Sequence, residues 1–204
     1  MRQTFGMSRS GDLKEAARAL ASPQFIMLLS NGKQFEQHVQ ELEHFFPGVP
    51  SIGCIGMSYD HNIVEEGVGL IAFSDGVSVA ANVLEQVSTM PVKYIGRLEQ
   101  DIRTIGGSDR DTVCIDFCAG NDACVLTTFY SVLGQRGIPL VGGTGDQGKV
   151  SVNGRVYADA AAYALVRNLH GRVKTYKENI YHQLGNYQFI ASQTNREKYI
   201  IGAL

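Results

Sequence analysis

The chain has 204 residues, 44% of them hydrophobic, and a formal net charge of −2, enough apolar material for a substantial core with no strong charge imbalance. With no run of Lys or Arg, a nucleic-acid or anionic-membrane surface is not expected as its main function. The first twenty residues lack an apolar core of signal-peptide length, and no later segment approaches the roughly 18 apolar residues of a membrane span, so a cytoplasmic location is expected.

In chain order, Asp12 and Glu15 have the spacing of a capping box and predict a helix over 13–21, stopped before Pro23. FIMLLS at 25–30 reads as a buried strand. An amphipathic helix follows over 33–46, with Phe35, Val39, Leu42 and Phe46 on one stripe and Pro47-Gly48 closing it. His38 and His44 fall on its charged side, where solvation is expected. VPSIGCIG at 49–56 is a further strand, and VGLIAFS and VSVAANV flank Asp75-Gly76 as the arms of a hairpin.

The same order then returns. VCIDFCA at 113–119 reads as a strand, 122–135 as a helix, IPLVGGTG at 138–145 as a strand, and 159–168 as the start of a second hairpin. Laying 25–58 on 114–147 without a gap pairs Ile26 with Ile115, Gly48 with Gly137, Pro50 with Pro139, Gly53 with Gly142 and Gly56 with Gly145. The expected fold is α+β: mixed sheets with helices on the outside, built from a duplicated β-α-β-hairpin unit with halves at about 25–111 and 112–182.

GTGDQGKV at 143–150 is one hydroxyl short of the nucleotide-binding pattern G-x-x-x-x-G-K-[ST], because Val150 stands where Mg²⁺ would need Ser or Thr. The alternation Val150, Val152 and the turn at Asn153-Gly154 predict a hairpin there instead of the helix a phosphate would need. In the repeat overlay the loop corresponds to CIGMS at 54–58, so its glycines read as backbone devices at a strand end, where small ligands bind.

Four cysteines, Cys54, Cys114, Cys118 and Cys124, include no C-x-x-C pair and read as reduced thiols; no metal site is expected. Cys54 in I-G-C-I-G comes close to a nucleophile elbow but has Ile52 in place of the first glycine. Asp116 shares a strand face with Cys114 and Cys118, a costly position for a carboxylate unless it is paired or near a ligand.

SIGCIGMS at 51–58, GVGLIAF at 67–73, IPLVGGTGDQ at 138–147 and NGRVYADA at 153–160 together resemble the N-terminal half of the FIST domain family, over about 25–204. The resemblance implies one FIST-like N-terminal domain over 1–204, with the C-terminal FIST segment that normally follows expected to be absent. It also implies a non-catalytic sensory domain, typically of bacterial signal transduction, with a small-molecule ligand and a signalling or output protein as partners. Amino acids are one implied ligand class, and haem is another. Expected ligand contacts are Cys54, Asp116, Gly142, Gly143, Thr144 and Asp146, with Asp116 or Asp146 reading an amino group; His61 and His182 are the candidates should haem bind. The alternative readings are a cysteine-dependent hydrolase using Cys54 and a protein-interaction module.

Overall fold

The computed structural model describes residues 1–56, 58–60, 62–176, 191–194 and 200–203. It divides into a compact unit of Met1–Val173 and a smaller one of Lys174–Leu204.

In the first unit, strand β1 (Arg2–Ser8) leads into helix α1 (Leu13–Ala17), β2 (Phe25–Ser30), α2 (Phe35–Phe45) and β3 (Ser51–Ile55). The short β4 (Ser58–Asp60) and β5 (Asn62–Val64) form a two-stranded antiparallel sheet. Then come β6 (Val68–Ser74), β7 (Val77–Glu85), α3 (Ile95–Ile105), β8 (Thr112–Cys118) and α4 (Asp122–Arg136). Finally β9 (Leu140–Thr144), β10 (Lys149–Val152), β11 (Arg155–Ala158) and β12 (Ala160–Asn168) complete the unit. In the second unit β13 (Ala191–Thr194) and β14 (Ile200–Ala203) form an antiparallel pair.

Two mixed sheets result, a six-stranded one ordered β1-β6-β2-β3-β10-β11 and a four-stranded one ordered β7-β12-β8-β9. The α+β class with outer helices is borne out as four layers, helix, sheet, sheet, helix. α1 and α2 bury Leu13, Ala16, Phe35, Val39 and Leu42 on the first sheet. α3 and α4 bury Leu98, Ile102, Val125 and Phe129 on the second. Between the sheets lie Phe25, Ile52, Cys54 and Val150 from one and Phe117, Ala160, Ala162, Ala164 and Val166 from the other. β12 shows the period-2 logic most plainly, sending Ala161, Tyr163 and Leu165 under the helices and its small residues between the sheets.

Each sheet follows one plan: β1-α1-β2-α2-β3 then β6, and β7-α3-β8-α4-β9 then β12. In both, the last strand of the set sits between the first and second, and the second and third are parallel. The recurring order spans 2–74 and 77–168, and the hairpin expected around Asp75-Gly76 does not form. Asp75 (φ 58°) and Gly76 (φ 85°) do turn the chain. They hand it from one sheet to the other, since β6 pairs with β1 and β2 whereas β7 pairs with β12. The second expected hairpin likewise resolves into a strand, β12, held centrally between β7 and β8.

α1 is shorter than expected. Asp12 caps it, accepting from the Lys14 and Glu15 backbone N–H groups, but Glu15 completes no capping box, because its carboxylate accepts the Ser8 hydroxyl at 2.6 Å. His38, expected on the solvated side of α2, is 1% exposed. Its Nε2 donates to the Gly11 carbonyl at 2.9 Å, leaving Nδ1 to accept the Ser30 hydroxyl at 2.7 Å in the neutral ring. Burial lowers its pKa, so it is a structural link between β2, α2 and the turn at Gly11.

Candidate functional site

The centre of the site is the C-terminal end of the parallel pair β8–β9. Along β8, Val113, Ile115 and Phe117 face the other sheet, and Cys114, Asp116 and Cys118 face the helix layer. Asp116 therefore lies under α4 and is only 5% exposed. Register sets Asp116 beside Gly142 and Cys118 beside Thr144. Gly142 has no alternative there: a Cβ on it would run into the Asp116 carbonyl and Oδ1.

After β8 the chain reverses through Gly120 (φ 121°) and Asn121 (φ 53°), which brings the start of α4 over the strand ends. A cleft of about 190 Å³ opens between them. Asp116, Cys118, Leu140, Gly142, Gly143 and Thr144 line it from the sheet, and Asp122, Val125, Leu126 and Tyr130 from the helix. The ionisable carboxyls of this lining are both aspartates, and no Lys, Arg or His is among it.

Asp116 makes no side-chain hydrogen bond or ion pair with any other described residue. Burial pushes its carboxyl from the ordinary aspartate range to about 7, opposed only by its own backbone N–H. The neighbouring Cys118 thiol donates to the Gly120 carbonyl at 2.6 Å, and burial raises it to about 11. A carboxyl buried without a partner among the described residues is costly to ionise, and perturbed groups of this kind cluster at functional sites.

Of the six expected contacts, Asp116, Gly142, Gly143 and Thr144 are thus brought together. Asp146 is not in the lining: it sits exposed in a 3₁₀ turn at 146–148, where Oδ1 accepts the Gln147 backbone N–H at 2.8 Å. Cys54 is not in it either. It lies in β3 between the sheets, 5% exposed, with Gly145 so close that a Cβ there would stand 2.8 Å from Cys54 Cβ. Burial pushes that thiol up to about 12, the opposite of what a nucleophile requires. His61 and His182 lie outside the described residues.

The loop 143–150 holds no phosphate-type helix start. Gly145 N–H donates to the Cys118 carbonyl at 2.8 Å, the chain turns through Gln147 (φ 52°) and Gly148 (φ 65°), and β10 then pairs antiparallel with β3. Lys149 Nζ pairs with Glu36 Oε1 at 2.7 Å on the surface of α2.

Asp122, Leu126 and Tyr130 were not anticipated. Their signal was available in the spacing of four along a helix whose residues from Ala123 to Gln135 are all uncharged. At about 190 Å³ the cleft falls below the roughly 300 Å³ of ordinary ligand pockets, so it suits a compact ligand and does not fit haem. Among the described residues no cluster of His, Cys, Asp and Glu is arranged to hold a metal ion, and no helix is long and apolar enough to cross a membrane.

A search of curated proteins returns no match. The model of the FIST N domain matches residues 24–201, which takes in the cleft and every strand of the two large sheets except β1. FIST domains are sensory domains of signalling proteins, and by this match the chain belongs to the FIST N domain family.

Proposed function

We propose that the chain is a cytoplasmic, non-catalytic sensory domain whose ligand site is the cleft between β8–β9 and α4. The ligand is a compact molecule carrying a cationic amino group, with amino acids as the first class to try, and its occupancy is passed to a signalling partner. The observation that supports this most is Asp116: a carboxyl 5% exposed, without a partner among the described residues, on a cleft whose lining carries no cation. An amino group would supply the missing charge and hydrogen bonds, which are worth most where water is excluded. The glycines at 142 and 143 let a ligand approach the backbone, and Tyr130 and Leu126 give it an apolar wall. The hydrolase reading draws no support from Cys54, whose thiol is buried and held protonated.

The test is a thermal-shift and calorimetric screen at pH 7.5 with amino acids, small amines, haem and nucleotides with Mg²⁺, run on the native chain and on Asp116→Asn. A small ammonium compound should raise the Tm of the native chain and lose at least about tenfold in affinity on Asp116→Asn, since a charge-assisted contact is removed. Silence across the amines, or equal binding by the variant, would refute the assignment.

A further inference from the structure

Beyond the cleft, its outer wall continues into a surface unlike the rest of the helix layer. α2 and α3 are two-sided, burying Phe35, Val39 and Leu42 or Leu98, Ile102 and Ile105 and presenting charged residues such as Glu36 and Arg103 outward. α4 buries Val125, Phe129 and Val132, yet its outer face, with Leu126 at 38% and Tyr130 at 59% exposure, has no charge between its ends. Its exposed residues between the ends, Leu126, Thr127, Tyr130, Ser131 and Gln135 among them, are all uncharged, so a second surface can cover them without desolvating a charge.

The adjoining strand is equally bare. β9 pairs with β8 on one edge and with no described strand on the other. Val141 on it is 49% exposed, and the strand has none of the lysine, proline or bulge that guards an open edge. In the other sheet the corresponding strand, β3, has its outer edge filled by the antiparallel β10. Leu126 and Tyr130 border the same cleft as Gly143 and Thr144, so the open edge and the bare helix face form one continuous surface.

The ends of α4 carry opposite charges. Exposed Asp122 starts the helix and exposed Arg136 ends it. If two copies pair their β9 strands antiparallel about a two-fold axis, their α4 helices also run antiparallel. Asp122 then meets the partner subunit's Arg136, and the reciprocal pair forms at the other end. The uncharged stretch between them faces itself without like-charge repulsion.

We propose that the chain dimerises through this surface, joining the two four-stranded sheets edge to edge through β9 with the α4 helices packed alongside. The inference is independent of which ligand the cleft takes.

Sedimentation equilibrium on the full chain across micromolar concentrations tests it. A dimer is expected, and Tyr130→Glu or Val141→Lys, both at exposed positions, should raise its dissociation constant at least about tenfold. Asp122→Lys and Arg136→Glu should each weaken association, and the double variant should restore it, an outcome a purely local role of either residue would not produce. A monomer at every concentration, or a dimer indifferent to all these variants, overturns the proposal. So does a monomer whose β9 amides are nonetheless protected from hydrogen exchange, because a segment of the same chain would then hold the edge.

Discussion

Asp116 ties a single side chain to a measurable pH dependence. Its carboxyl titrates near 7 in the folded chain and in the ordinary aspartate range when unfolded, so the native state holds the proton more tightly. By linkage, the stability this group contributes is complete below about pH 4 and is lost as the pH rises through about 7. Asp116→Asn removes that loss and keeps nearly the same shape. Urea denaturation should therefore show the variant gaining on the native chain between pH 4 and pH 8, by up to about 4 kcal/mol if the whole shift is realised. Parallel stability curves for the two proteins would mean that Asp116 is solvated or paired in solution.

At the scale of elements, turn chemistry decides where the loop over the strand ends can go. Asn153 (φ 47°) and Gly154 (φ 75°) form the turn between β10 and β11. Asn153 also bonds to β3 twice, its N–H donating to the Ser51 carbonyl at 3.0 Å and its Oδ1 accepting the Ser51 N–H at 2.9 Å. Asn153→Ala loses the side-chain acceptor at a positive φ and should destabilise the chain by about 1–3 kcal/mol in urea denaturation. A change below about 0.5 kcal/mol would show that β10 is held in register by packing alone.

This hairpin was legible in the sequence because its signal is local: two residues that tolerate positive φ between alternating valines. β2, α2, β3, β8, α4 and β9 were legible for similar reasons, since each has its own period and its own Gly or Pro stop. The partnership of β6 and β7 was not, because a turn at Asp75-Gly76 specifies a reversal and not which sheet receives the next strand. His38 misled for the same kind of reason: helical periodicity placed it outward, but the Gly11 turn, far away in sequence, closes over it. Within the site, the face carrying Asp116 followed from alternation, whereas the α4 wall depended on how helix and sheet pack. Cys54 and Asp146 were grouped with the site by their place in a motif, yet pleating turns Cys54 between the sheets and the 3₁₀ turn carries Asp146 away from the cleft. We infer that the common strand order of the two sheets reflects a duplicated unit, with the Gly-Pro overlay of 48–56 on 137–145 as support.

For the whole molecule, the spacing between the two sheets governs both stability and the cysteines. β12 supplies Ala160, Ala162 and Ala164 to the inter-sheet core, all buried, where larger side chains would force the layers apart. The same close approach lets Gly145, at the end of β9, rest on Cys54 of β3. In the native chain Cys54, Cys114 and Cys118 are buried with thiols held well above the usual range, and Cys124 is exposed. A thiol reagent at pH 7.5 should therefore label Cys124 quickly and leave the other three nearly untouched, because the thiolate is the reacting species. Ala162→Leu adds volume between the sheets and should cost about 1–3 kcal/mol by overpacking. If the layers respond by separating, Gly145 lifts from Cys54, and Cys54 becomes the next thiol to react while Cys114, buried beneath the helices of the second sheet, stays protected. Mass spectrometry of labelled peptides separates these cases, and rapid labelling of Cys54 in the unaltered chain would show that the contact between the strand end and the first sheet is not closed in solution.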